Sequence, residues 1–501
     1  MEEDRVQTRR APAAGAMPIL YVLTALALRA VMILRCRYNT DEPQHLHVAW
    51  EWSRGLIAYR DFYDNHLPLF HLLVAPWIGA VGETPRILLY ARLFMIPLVL
   101  GVLALTWLLA AKLYDSTVAW WATLAASISP PLLPTMVEFR NDTLWIALLL
   151  ATVLLILRDR SFVAGIVLGT ALMVSIKTAP FAVALAIAFL LMRYGSLLRL
   201  IAGSVVVPAI VIAFFAFHGA ADELFRWSVL TNGTMPVDPG RRLAAILAGV
   251  AIAVVAIWLA VRSPRSQRSF VALIAALYIA LFLATAPLIG PRDLLPTYPI
   301  WWIFAFAFLG PWTRHVAAML LVLLTIADAR LWQPQLPYYP RLIADTLRFT
   351  SAADPVFDQK GETVFRHRAT YIALESVARR LLEAGTLPDT IAADVIASRA
   401  HVAVRDSTRI PPASRRFLNR YFIPFGAMRV AGQYVRKDGT FEIAVPGNYT
   451  VVHNGRVFAG SRWYEPGTYR GPLGAVVLWS DVVGKTSDLA LELQRPEWPA
   501  E

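Results

Sequence analysis

Asp41 and Glu42 are adjacent carboxylates placed directly before Pro43. Such a pair can supply a general base, an anionic oxygen held within hydrogen-bond reach of an acceptor hydroxyl or amine. Acids before a proline also read as an N-cap with a proline at N1, and the two roles are compatible because a capping carboxylate can face a cleft. One turn on stands His45, with His47 and His66 nearby, and imidazoles beside carboxylates suit a divalent metal. No HExxH spacing accompanies them, and histidines whose rings reach out to an interface are the favoured explanation, so metal dependence stays open. Glu138, Arg140 and Asp142 form a second polar cluster, where Asn141 or Asp142 can also cap the next helix. Lys177, in SIKTAP, is the only Lys or Arg between residues 161 and 192, and Arg292 stands in GPRDLLPTYP. A cation at a membrane boundary is costly unless it snorkels or meets an anion, and a lipid phosphate is the natural anion. Arg29 and Arg92 lie nearer span interiors, where snorkelling or the same site accounts for them. A phosphate leaving group needs positive charge in the transition state, which Lys and Arg supply without a metal.

These residues need elements to hold them, and the composition says where those elements sit. The 501 residues are 57% hydrophobic and 16% charged, against a usual charged share of about a quarter, which excludes an ordinary soluble enzyme and a disordered chain. A single cysteine, Cys36, excludes an intramolecular disulfide and a thiolate metal site. About eleven apolar spans are expected, near residues 17–34, 88–111, 117–135, 143–157, 162–176, 178–192, 200–217, 243–261, 270–287, 298–311 and 315–331. Threaded in and out, one set of connections collects residues 1–16, Lys112, Arg158, Arg160, Arg193, Arg199, Arg262, Arg265, Arg268 and Arg314. That set holds twelve Lys/Arg against five acids. The positive-inside rule makes it cytoplasmic and puts everything after residue 331 outside. The net charge of +12 is then largely an orientation signal, and nucleic acid is not an expected partner.

Two outer segments are too patterned to be connectors. Residues 36–86 place Leu46, Ala49, Trp50 and Ser53 on one helical face, which predicts an amphipathic helix lying at the outer interface. The tail from 332 to 501, with 21 Lys/Arg and 17 acids, is a soluble domain in composition, mixed α/β over 341–430 and β-rich over 431–494. There Asn454-Gly455 signals a type I′ hairpin. The expected architecture is therefore a membrane all-α domain over 17–331, with an N-terminal cytoplasmic segment 1–16 and an extracytoplasmic soluble domain over 332–501.

With these motifs in order, the chain resembles the multi-spanning GT-C glycosyltransferases of the family 39 group, which includes the protein O-mannosyltransferases and the bacterial aminoarabinose and lipopolysaccharide-sugar transferases. The resemblance covers about residues 17–310. It rests on TDEPQHLHVAWEWSRG after the first span, YRDFYDNHLPLF, FRND after the third span, IKTAP and RDLLPTYP. It implies inverting transfer of a sugar from a polyprenyl-phosphate carrier to a lipid or glycan acceptor of the cell envelope, at the outer face of a bacterial inner membrane. It makes Asp41 the base, Glu42 its positioning partner or a metal support, and Lys177 and Arg292 the phosphate contacts. Glu138, Arg140, Asp142 and His45 would support substrate or metal. Where many members carry a Lys before the prolines, this chain has Asn65-His66-Leu67-Pro68, so His66 would replace that cation. Where members often have a tyrosine after the late arginine, Asp293 follows Arg292 and would neutralise it. A transporter or flippase of a lipid-linked solute is the alternative, but the charges gather at one mouth and no internal repeat is visible.

Overall fold

The computed structural model describes residues 16–233, 238–262, 265–286, 289–329, 338–486 and 488–494. The expected cytoplasmic segment, apart from its last residue, and the boundary at residues 331 and 332 lie outside them. Eleven helices open the chain: α1 (Ala16–Arg35), α2 (Asp41–Ser53), α3 (Leu69–Val81), α4 (Ile87–Phe94), α5 (Ile96–Leu113), α6 (Ser116–Ile128), α7 (Leu132–Val137), α8 (Asp142–Ile156), α9 (Ser161–Val174), α10 (Thr178–Met192) and α11 (Leu197–Phe217). The helices Pro239–Arg262, Gln267–Thr285, Thr297–Phe308 and Pro311–Asp328 follow. Among the described residues each expected apolar span falls mostly on helix, and residues 287, 330 and 331 of those spans lie outside them. The span expected over 117–135 is broken, because Pro130 and Pro131 cannot donate backbone hydrogen bonds and separate α6 from α7.

Among the described residues, five helices are long and apolar enough to cross a membrane: Pro18–Arg35, Ile87–Leu113, Leu197–Phe217, Pro239–Arg262 and Gln267–Thr285. Leu69–Val81, Asp142–Ile156, Ser161–Val174, Thr178–Met192 and Thr297–Phe308 are apolar but shorter. Helix length alone therefore does not carry a count of about eleven crossings.

The interfacial placement expected for the 36–86 segment is corrected. In α2 every residue from Glu42 to Trp52 is buried, so no face is left for water. The tail segment 358–367 lies across it. His47 Nδ1 is 3.0 Å from the Val364 carbonyl, and His367 pairs with Glu51 at 2.9 Å. At Gly361, with φ +97°, an added Cβ would stand 2.5 Å from the His47 Cβ, so the approach requires glycine. Polar groups that the pattern assigned to water thus meet polar groups of the tail.

In the tail, short helices alternate with β1 (Val356–Phe357) and β2 (Val402–Ala403). Then β3 (Phe422–Phe425), β4 (Met428–Tyr434), β5 (Thr440–Ile443), β6 (Gly447–His453), β7 (Arg456–Tyr464), β8 (Gly467–Arg470) and β9 (Ala475–Trp479) follow. The larger sheet has the order β1-β2-β4-β9-β6-β7 with β3 also on β4, and β5 pairs with β8. Asn454 and Gly455, at φ 49° and 73°, turn β6 into β7, the double positive φ that a type I′ turn requires. One continuous apolar core runs from Leu46 and Trp50 through α3 to α10 and on to Val356, Phe357 and Val430 of the sheet. The tail therefore shares its core with the helices.

The closest helix packing is between α9 and α11. A Cβ on Gly165 would lie 2.2 Å from the Leu200 carbonyl oxygen, one on Gly169 2.4 Å from that of Ser204, and one on Gly203 2.1 Å from that of Phe162. Gly165 and Gly169, four apart, let the two backbones touch, as small residues do in membrane helix pairs. Gly165→Ala should lower the melting temperature of the detergent-purified protein by several degrees, whereas Gly101→Ala, with nothing within 4 Å, should leave it unchanged or raise it.

Candidate functional site

Neither Asp41 nor Glu42 is the N-cap of α2. The cap position is Thr40, and both acids lie in the first helical turn. At 3.6 residues per turn, successive side chains point about 100° apart, and the two carboxylates face different partners. Glu42 is fully buried. Its Oε1 accepts from Arg92 Nη2 at 2.7 Å and from the Asn39 backbone N–H at 2.9 Å. Its Oε2 accepts from Arg92 Nε at 2.9 Å and from the Phe139 backbone N–H at 3.3 Å. It does not line the cavity described below. Its contacts are those of an anchor for the start of α2, whereas the sequence offers it as a positioning partner of Asp41 or a metal support.

Arg92 neither snorkels nor joins the site. Its Nη1 donates to the carbonyls of Met32, at 3.1 Å, and Cys36, at 2.9 Å, and its Nη2 to that of Arg37, at 2.9 Å. The guanidinium therefore caps the open carbonyls at the end of α1 while forking onto Glu42. It also lies 4.0 Å from the centre of the Tyr38 ring. Three elements, α1, α2 and α4, meet at this one group.

Asp41 faces the other way. Its Oδ2 accepts from Arg140, and its Oδ1 from Lys360 Nζ at 2.5 Å. Lys360 also donates to Thr40 Oγ1 at 2.8 Å. The loop that presents it is wound on two buried acids. Asp358 accepts from the backbone N–H groups of Gly361 and Thr363, at 2.6 and 3.1 Å, and Glu362 from those of Gln359 and Lys360, at 2.8 and 3.0 Å.

A cavity of about 1120 Å³ opens beside Asp41. Of the residues singled out in the sequence, Asp41, His66, Arg140, Lys177 and Arg292 line it. Glu138, Asp142 and His45 stand behind these. Arg292 is bidentate to Glu138 at 2.6 and 2.9 Å, Arg140 Nε donates to Asp142 at 3.0 Å, and Lys177 pairs with Asp293 at 2.8 Å. Asp293 thus neutralises Lys177 and not the adjacent Arg292, as the sequence suggested. The remaining wall is largely apolar or proline, with Pro130, Pro131, Pro134, Val174, Ile176, Phe282, Ala286 and Ile289 among its residues. Paired charges and a largely apolar set of side chains thus line the same cavity, a combination that suits an amphiphile with an anionic head.

The lining also includes Asn65 and Asp293, named in the sequence beside His66 and Arg292, and Gln44, Lys360 and Glu375, which were not singled out. Lys360 carried no local signal, as one of 21 Lys/Arg in the tail, and it reaches Asp41 across 319 positions of sequence. The expected histidine group divides. His47 turns to Val364 and Glu51, while His45 and His66 come together with His71. These three are the described residues grouped closely enough to hold a metal.

Burial would push the Asp41 carboxyl up, but Arg140 and then Lys360 outweigh it and hold it well below the usual carboxylate range. With its folded-state pKa depressed, the clamp stabilises fully above the unfolded value of about 3.9, and loses that stability as pH falls through the folded value. Melting curves should hold wild type above Asp41→Asn from about pH 7 down to about pH 4, with the gap closing only below that. A gap already closed at about pH 5 would contradict the clamp. Removing Arg92 leaves Glu42 buried without a counter-charge, so Arg92→Ala should cost about 3–5 kcal/mol of stability. Arg92→Lys should recover only part of it, because one ammonium cannot reproduce the fork.

No protein-family model and no curated protein matches the chain. Among solved structures it is similar to ArnT from Cupriavidus metallidurans bound to undecaprenyl phosphate, with a TM-score of 0.59 and 14% identity over 83% of this chain and 98% of that one. The apo state of the same protein gives 0.56 and 15% over 83% and 97%. At this identity the likeness speaks for the fold, and the fold that the chain shares with ArnT is the GT-C type that its motifs implied.

Proposed function

We propose that the protein is a membrane glycosyltransferase that moves a sugar from a polyprenyl-phosphate carrier to a cell-envelope acceptor at the outer face of a bacterial inner membrane. The observation that carries this reading is the cavity whose lining brings Asp41, Arg140, Lys177, Arg292 and Lys360 together with a largely apolar set of side chains. The ArnT fold supports it, since that protein was crystallised with undecaprenyl phosphate.

In this reading an acceptor hydroxyl or amine attacks the anomeric carbon while the bond from that carbon to the phosphate oxygen breaks. The electron pair leaves with the carrier phosphate, the acceptor proton passes to Asp41, and the anomeric centre inverts. Asp41 clamped by two cations is a weak base. A phosphate entering the cavity competes for Arg140 and Lys360, and as they turn to it the carboxylate recovers basicity next to the acceptor. Lys177 and Arg292, about a third exposed or less toward the cavity, stabilise the charge gathering on the leaving phosphate. His66, also on the wall, stands where relatives carry a lysine.

The test is incubation of the purified full-length protein in detergent with a panel of polyprenyl-phosphate sugars, reading release of the carrier phosphate, with and without chelator. Asp41→Asn should lower kcat by about 10²–10⁴-fold at unchanged membrane level. Lys177→Ala and Lys360→Met should raise KM for the donor about ten- to a hundredfold, the range for a lost charged hydrogen bond. Full activity in Asp41→Asn would overturn the base assignment. No release with any donor would favour the transporter reading.

A further inference from the structure

We propose that His45, His66 and His71 form a binding site for one borderline-soft divalent metal ion such as Zn²⁺, tying α2 to α3 beside the cavity. A nitrogen of each ring lies within 4.8 Å of the other two. The site does not rest on the glycosyl-transfer reading.

Asp64 makes the cluster more than three neighbouring rings. This carboxylate is fully buried and touches two of them, Oδ1 at 2.8 Å from His66 Nδ1 and Oδ2 at 3.2 Å from His71 Nδ1. A carboxylate that accepts a hydrogen bond from Nδ1–H leaves the Nε2 lone pair free, which is how outer carboxylates orient metal-bound histidines, and Asp64 makes that bond with His66. His71 Nε2 then lies 2.7 Å from His45 Nδ1. His45 Nε2 is buried with no hydrogen-bond partner, so no second protein group fixes which of its nitrogens carries the proton.

The donor set selects the ion. Three nitrogens suit Zn²⁺, Co²⁺ or Ni²⁺, whereas Mg²⁺ and Ca²⁺ want oxygen. Zn–N bonds of about 2.0–2.1 Å in tetrahedral geometry hold two nitrogens about 3.3 Å apart. His45 and His71 would part by about 0.6 Å, and nitrogens that now stand up to 4.8 Å apart would close by about 1.5 Å through ring rotation. His66 is also a cavity residue. His45 stands one turn after Asp41 on α2, so an ion here would steady the helix face that presents Asp41.

The purified full-length protein, stripped with chelator, is titrated with Co²⁺ and then Zn²⁺. One equivalent of Zn²⁺ per chain should survive desalting, and Co²⁺ should give visible ligand-field bands that Zn²⁺ bleaches. Zn²⁺ should raise the melting temperature and chelator should reverse the rise. His71→Gln and His66→Gln should each abolish the Co²⁺ bands, and Asp64→Asn should weaken binding about 10–100-fold. His218→Gln, outside the cluster, should change nothing. If the variants do not fold, Co²⁺ bands bleached by Zn²⁺ in the wild type, at one equivalent, still support the site. Wild type that retains no Zn²⁺ and shows no Co²⁺ bands, or folded His71→Gln that binds as wild type does, overturns it.

Discussion

The buried fork between Arg92 and Glu42 is the constraint on which the site depends. An arginine this deep is tolerable only if nearly every N–H finds an acceptor, and here the acceptors are one carboxylate and the open carbonyls that end α1. Meeting that demand brings the end of α1, the start of α2 and the last turn of α4 to a single point. It also fixes the rotation of α2. With Glu42 turned to Arg92, the helical offset of about 100° leaves Asp41 facing the cavity. The two neighbouring acids are thus one anchor and one reactive candidate, and the first aims the second.

Around Asp41 the charges are paired into near balance. Arg140 bridges Asp41 and Asp142, Arg292 holds Glu138, Lys177 holds Asp293, and Lys360 closes the ring from the tail. Such a network keeps the charged groups solvated by one another at an otherwise apolar boundary. It also sets what a ligand must do. An anion gains little from one cation that is already paired, but a phosphate that contacts several at once can replace the carboxylates as their common partner. In the proposed mechanism a group with several oxygens is what this network would select, and Asp41 would be freed only when that group is present.

The tail belongs to this arrangement. It covers α2, contributes its polar groups to that helix, shares the apolar core and sends Lys360 to Asp41. The Asp358 and Glu362 carboxylates bind the backbone of the loop that carries Lys360, so its position is held by hydrogen bonds within the segment. Gly361 then allows that loop to lie against His47 without a clash. On the other side of α2, His45 turns toward His66 and His71.

The amino-acid sequence by itself determined what local physics can carry. Apolar runs placed the helices, Asn454-Gly455 turned β6 into β7, and the acids and cations of the short loops marked the cavity lining. Asp41, Arg140, Lys177, Arg292 and His66 were legible as charged or imidazole side chains in the short segments between apolar runs. What only the tertiary structure decided is which charge meets which. Asp293 sits beside Arg292 in the chain yet pairs with Lys177, Glu42 turns away from its neighbour's cavity, α2 is internal where its pattern suggested an interface, and Lys360 and His71 complete clusters that no spacing announces. Periodicity reports the environment of a helix face as an average over one turn, whereas ion pairing is settled by contacts of a few ångströms between segments hundreds of residues apart. That information appears only once the chain has folded.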